Sequence, residues 1–150
     1  MRASSFVVPA LLLAGHVFGA ESRVKMDDLP AAVRKTVREQ TNGAKVHGLS
    51  KEVENGKTYY EVELRAGGHA KDLLIDSSGS VVETEEQVGI DSVPAAVKGA
   101  LEKRAAKGRI VSIESVTKDR SVVGYEARIR TGGKTSEIRL SPDGAPIQEP

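Results

Sequence analysis

The chain repeats itself, and this constrains its fold more than any other property of the sequence. Leu29-Pro-Ala-Ala-Val33 returns as Val93-Pro-Ala-Ala-Val97, an offset of 64. Tyr60-Glu61 returns as Tyr125-Glu126, Arg65-Ala-Gly-Gly68 as Arg130-Thr-Gly-Gly133, and Gly79 as Gly144, all at an offset of 65. The order of the matches is preserved, and one inserted residue accounts for the change of offset. A period of this length points to one supersecondary unit made twice.

Each copy reads as a helix followed by strands. Asp28 and Ser92 stand where an N-cap belongs, and Pro30 and Pro94 fall in the first turn, where a missing N–H costs nothing. Leu29, Val33, Thr36, Val37 and Gln40 recur at helical spacing, as do Val93, Val97, Ala100, Leu101 and Arg104. The apolar stripe is narrow, so each helix buries one face. Asn42-Gly43 signals the end of the first helix, and Gly108 takes that part in the second.

Strands follow around Lys45–Lys51 and Arg109–Val116, and Asn55-Gly56 is a hairpin turn. The next strand alternates: Tyr60, Val62 and Leu64 on one side, Tyr59, Glu61, Glu63 and Arg65 on the other. Its counterpart sets Tyr125, Ala127 and Ile129 against Glu126, Arg128 and Arg130. Leu74 aligns with Arg139, so Leu73 and Ile75 should point inward with Ile138 and Leu140. Turns at Ser77–Gly79 and Pro142–Gly144 lead to last short strands holding Val82 or Ile147. The first strand breaks simple alternation, because Val46 and Leu49 match Ile110 and Ile113 at a spacing of three. A bulge is one way to reconcile this.

The expected fold class is therefore α+β: two tandem repeats, each one helix packed on a three- to four-stranded antiparallel sheet. The units span residues 21–88 and 89–150. Each is small enough to be marginal alone, so they should lean on each other, as one longer sheet or through their helices. Residues 21–88 are acidic on balance and residues 89–150 basic.

Residues 1–20 read as an export signal. Arg2 opens a short cationic start, Phe6–Ala14 forms an apolar run, and small residues precede the charged stretch from Glu21. The run is short of the about 20 residues a bilayer span needs. Cleavage after Gly19 or Ala20 is expected, with an uncleaved anchor as the competing reading. The address is thus periplasmic or secreted, without stable membrane insertion after cleavage.

The helix starts, the Tyr-Glu-x-x-(Leu/Ile) strands, the Gly-Gly turns and the turns at Asp76–Gly79 and Pro142–Gly144 resemble the PepSY-like domains of bacterial exported proteins. Copy two departs by having Ser141 where copy one has Asp76. The resemblance spans residues 25–150, in tandem, and the pairing also looks like the arrangement in beta-lactamase inhibitor protein. It implies a binding module, with inhibition of a peptidase as a proposed role, and no catalytic set.

The residues add little chemistry of their own. The chain holds three Tyr, two Phe, no Trp and no Cys, and its net charge is +1. This disfavours a base-stacking surface, gives no basic face for nucleic acid, and excludes disulfides and thiolate metal sites. Gly133-Lys134-Thr135 lacks the earlier glycine of a phosphate-binding loop, since Arg128 occupies that position. The Asp76-Ser-Ser-Gly79 segment has its glycine in the wrong place for an EF-hand loop. His47 and His69 do not share a metal-ligand spacing. Glu83, Glu85 and Glu86 read as an acidic linker.

No catalytic residue, metal site or cofactor is expected. The chain reads as a non-enzymatic, protein-binding module, inhibitory toward a peptidase or other envelope enzyme. The contact residues would be Tyr59, Glu61, Glu63, Arg65, Glu126, Arg128 and Arg130, set side by side on an open sheet face. The alternative is an envelope sensor of a small ligand or metal, using His47 or the Glu83–Glu86 run.

Overall fold

The computed structural model describes residues 22–147; the expected signal at 1–20 lies outside them. Eight strands form one sheet: β1 (Ser22–Arg23), β2 (Lys45–Glu54), β3 (Lys57–Ala66), β4 (His69–Asp76), β5 (Val81–Gln87), β6 (Arg109–Lys118), β7 (Ser121–Thr131) and β8 (Lys134–Leu140). They lie in chain order, each antiparallel to its neighbour. Two helices, α1 (Ala31–Thr41) and α2 (Ala95–Arg104), are each preceded by a 3-10 turn, at Met26–Asp28 and Ile90–Ser92.

This corrects the expected fold class. The molecule is one eight-stranded antiparallel sheet with two short helices, not two repeats of a helix on a three- to four-stranded sheet. The segment responsible is Glu83–Glu86. Read as a linker, it is the middle of β5, paired with β4 through Lys71↔Glu86 and with β6 through Thr84↔Thr117. One ladder therefore runs through the whole sheet.

Both helices lie on the same face. The α1 core joins Leu29, Val33 and Val37 to Tyr60, Val62, Leu64, Leu73 and Ile75. The α2 core joins Val93, Val97 and Leu101 to Ile113, Tyr125, Ala127 and Leu140. Between the cores this face carries the polar side chains Thr84, Glu86, Ser115 and Thr117, in register across β5 and β6.

The bulge does exist, in both places. The β2–β3 register slips between Val46 and Gly48, and the β6–β7 register between Ile110 and Ser112. The extra residues are His47 and Val111, both exposed. Each bulge turns a spacing of three back into one face, so Val46 and Leu49 meet the first core and Ile110 and Ile113 the second.

Helix starts differ from expectation. Pro30 and Pro94 occupy the N-cap positions, and neither helix has a side-chain cap. Asp28 instead accepts a hydrogen bond from Lys25 N–H and closes the 3-10 turn. Asn42 ends α1 in the left-handed region, as Asn42-Gly43 suggested. Gly108 does not end α2. It lies where a Cβ would collide with the backbone of Arg130 and the Thr131 hydroxyl.

Gly79 has φ +88°, and a Cβ there would sit 2.8 Å from the Ala32 carbonyl oxygen. Thr36 Oγ1 donates to the Gly79 carbonyl at 2.6 Å, which ties the β4–β5 turn to α1. Gly144 meets Ala96 in the same way, at 2.7 Å. Gly79→Ala should cost about 2 kcal/mol from strain and overpacking. Thermal denaturation should show a midpoint lower by roughly 5–10 °C.

Candidate functional site

Strand alternation fixes what the helix-free face displays. Across β2 to β5, one row runs Ser50, Glu61, Leu74, Glu83, and the next runs Gly48, Glu63, Asp72, Glu85. Across β6 to β8, Glu114 faces Glu126, which faces Arg139, and Ser112 faces Arg128, which faces Glu137. The expected contact residues all belong to this face, but they are not side by side. Tyr59, Glu61, Glu63 and Arg65 are on β3, and Glu126, Arg128 and Arg130 on β7. Three strands intervene, which is four ladder steps or roughly 19 Å. Arg130 is exposed, Arg128 is half-buried and Glu126 is buried.

The strands between them bring the Glu83–Glu86 run, named from the sequence only for the alternative ligand or metal reading, and Glu114, which sequence reasoning did not single out, beside Glu126. Glu83 is 3% exposed, Glu85 6%, Glu114 7% and Glu126 3%, with no helix above them. Neighbouring long side chains do the shielding. Arg139 makes an ion pair with Glu126 and lies 3.9 Å from Glu85 Oε1. Arg128 lies 3.7 Å from Glu114, and Lys118 lies 2.5 Å from Glu83. Arg65 binds Asp72 at 2.6 Å and approaches Glu63 at 3.7 Å.

Carboxylates outnumber these cations, and the deficit falls at the centre of the face. One oxygen each from Glu85, Glu114 and Glu126 lies within 4.8 Å of the others. Glu85 Oε1, Glu83 Oε1 and Glu126 Oε2 are buried and accept no hydrogen bond. Burial, reinforced by repulsion from Glu83 and Glu114, pushes the Glu85 carboxyl up to about 8; Arg139 opposes this. Burial also raises Glu114, partly offset by Arg128. A recess of about 10 Å³, lined by Glu61, Asp72, Glu83 and Glu85 among others, adjoins Glu85. It has room for about one water-sized particle.

The other singled-out groups are structural. Asp76 Oδ1 accepts from Ser78 N–H at 2.9 Å, Ser80 N–H at 3.0 Å and the Ser78 hydroxyl at 2.5 Å, so its carboxylate closes the β4–β5 turn. The Ser78 hydroxyl holds it below the usual carboxylate range. Gly133-Lys134-Thr135 runs from a hairpin turn into β8, with no helix following. His69 Nε2 lies 3.3 Å from Glu86 Oε1, both half-exposed. Among the described residues no helix is long and apolar enough to cross a membrane.

A site of this kind leaves a trace in the sequence. Glu61-x-Glu63 and Glu83-x-Glu85 place acids on one strand face. The match of Leu74 to Arg139 shows that this same face holds a cation in the second half. What is missing is the register that places Glu114 and Glu126 beside them.

No family profile matches the chain, and no curated protein does. Solved structures do match in fold. A DUF2874 family protein from Bacteroides uniformis is 18% identical, with 79% of this chain and 86% of that one covered and a TM-score of 0.60. A presumed periplasmic protein from Bacteroides eggerthii is 16% identical, with 81% and 88% covered and a TM-score of 0.63. A BLIP-like protein from Bacteroides fragilis is 17% identical, with 81% and 85% covered and a TM-score of 0.55. None of these three carries an enzyme's name. The chain therefore shares its sheet-and-helix architecture with DUF2874, BLIP-like and periplasmic proteins.

Proposed function

We propose that the chain is a periplasmic or secreted, non-enzymatic module that binds a protein partner on the helix-free face of its sheet. One observation carries the reading. Eight strands present an unlayered face whose charged side chains are fixed by cross-strand contacts, with exposed Arg130 and half-exposed Tyr59 toward its borders. Such preorganised charge favours orientation and selectivity of a docking partner. Likeness in fold to a BLIP-like protein supports the reading, and likeness to a presumed periplasmic protein supports the address. Inhibition of an envelope enzyme is the finer form of the proposal. PepSY-like kinship, also proposed, rests on the helix-start and turn residues.

The test pairs capture with a surface variant. The chain from residue 21 onward, immobilised, is exposed to envelope extract and the retained protein is identified. Tyr59→Ala with Arg130→Glu should weaken that partner's affinity about tenfold or more while leaving the thermal midpoint in place. Unchanged affinity in the double variant overturns docking on this face. If the partner is an enzyme, its turnover should fall in stoichiometric complex.

A further inference from the structure

We infer that Glu85, Glu114 and Glu126 form a binding site for a hard divalent cation at the centre of the helix-free face. This is independent of partner docking. Two features converge on it. The carboxylates come from adjacent strands β5, β6 and β7, and one oxygen from each lies within 4.8 Å of the others. That spacing suits three oxygens around an ion with bonds of about 2.3–2.6 Å, and oxygen-only ligation suits a hard cation.

The carboxylates are also under-partnered. Glu85 and Glu126 are more than nine-tenths buried, and each has an oxygen that accepts no hydrogen bond. Buried acceptors normally find a partner. The nearby cations do not make up the difference. Arg139 on β8 pairs with Glu126 and only approaches Glu85, at 3.9 Å, while its buried Nε and Nη2 make no hydrogen bond. Arg128 on β7 stands beside Glu114, Lys118 on β6 serves Glu83, and Arg65 on β3 serves Asp72 on β4.

The experiment uses the chain from residue 21 onward, stripped with chelator and dialysed, with Ca²⁺ and Mg²⁺ chlorides as probes at pH 8.5. Calorimetry should show one site for at least one ion. The thermal midpoint should rise with the concentration of that ion, as binding to the folded state alone requires. Glu85→Gln should weaken the affinity about tenfold or more. This variant keeps its fold, because it removes a charge that burial disfavours, so lost binding cannot be attributed to unfolding. Glu39→Gln, on the exposed side of α1, should bind as the parent does. No heat and no midpoint shift with either ion up to about 10 mM, a thousandfold above a 10 µM sensor-type Kd, would overturn the site. So would undiminished binding by Glu85→Gln.

Discussion

Glu85→Gln should make the protein more stable than the parent above pH 8 and equal to it near pH 4.5, in chelator-containing buffer. The sign follows from where the proton resides. Below the ordinary value of 4.5, Glu85 is protonated in both folded and unfolded chains and contributes no slope. Between 4.5 and about 8, the unfolded chain has released the proton and the folded chain retains it. Stability then falls as pH rises, by up to about 1.4 kcal/mol per pH unit, and levels off above about 8. The accumulated difference is on the order of 5 kcal/mol. Glu114, also raised by burial, adds a smaller slope of the same sign. Asp76, Asp91 and Asp143 have lowered values and act in acid, outside this window. Urea denaturation at half-unit pH intervals reads the effect. Parallel curves for parent and variant from pH 5 to 8.5 would show that Glu85 ionises freely.

Leu101→Ala should cost about 2–5 kcal/mol, the range for a buried leucine whose cavity does not fully collapse. Leu101 is fully buried, and Val97 is the only other buried residue of α2. Truncation therefore removes much of what attaches this helix to the sheet. Hydrogen exchange should quicken first in Ala95–Arg104, while α1, held by a separate core, keeps its protection. Uniform loss of protection across both helices would mean that the cores respond as one.

Much of this architecture was legible because apolar alternation is a direct consequence of strand geometry. Tyr60, Val62 and Leu64, and Tyr125 and Ala127, lie in the cores that their alternation implied. Even the irregular spacing of Val46 and Leu49 pointed to the bulge that reconciles it. The central strand was hidden for a physical reason. In Val81-Val-Glu-Thr-Glu-Glu-Gln87, burial on one face is achieved by carboxylates packed among arginine and lysine chains, and the other face carries Thr84 and Glu86. A hydrophobic pattern cannot report such a strand, and without it the sheet divides in two. The same blindness hid the acidic centre as a unit, for Glu85 and Glu126 were named for separate readings and Glu114 not at all. Glu85, Glu114 and Glu126 are distant in sequence and meet only through ladder register.

The chain-order arrangement of the strands also bears on how the molecule forms. Every ladder joins consecutive strands, and the longest excursions between partners are the two helix segments of equal length, α1 between β1 and β2 and α2 between β5 and β6. Loop closure is therefore inexpensive at each step, and the contact order is low for a protein made mostly of strands. Hairpins can form locally and add to a growing edge, without waiting for the two ends of the chain to find each other. Folding should be fast for a sheet of this size, and the step that sets its pace should be the docking of β6 onto β5 across the α2 crossover.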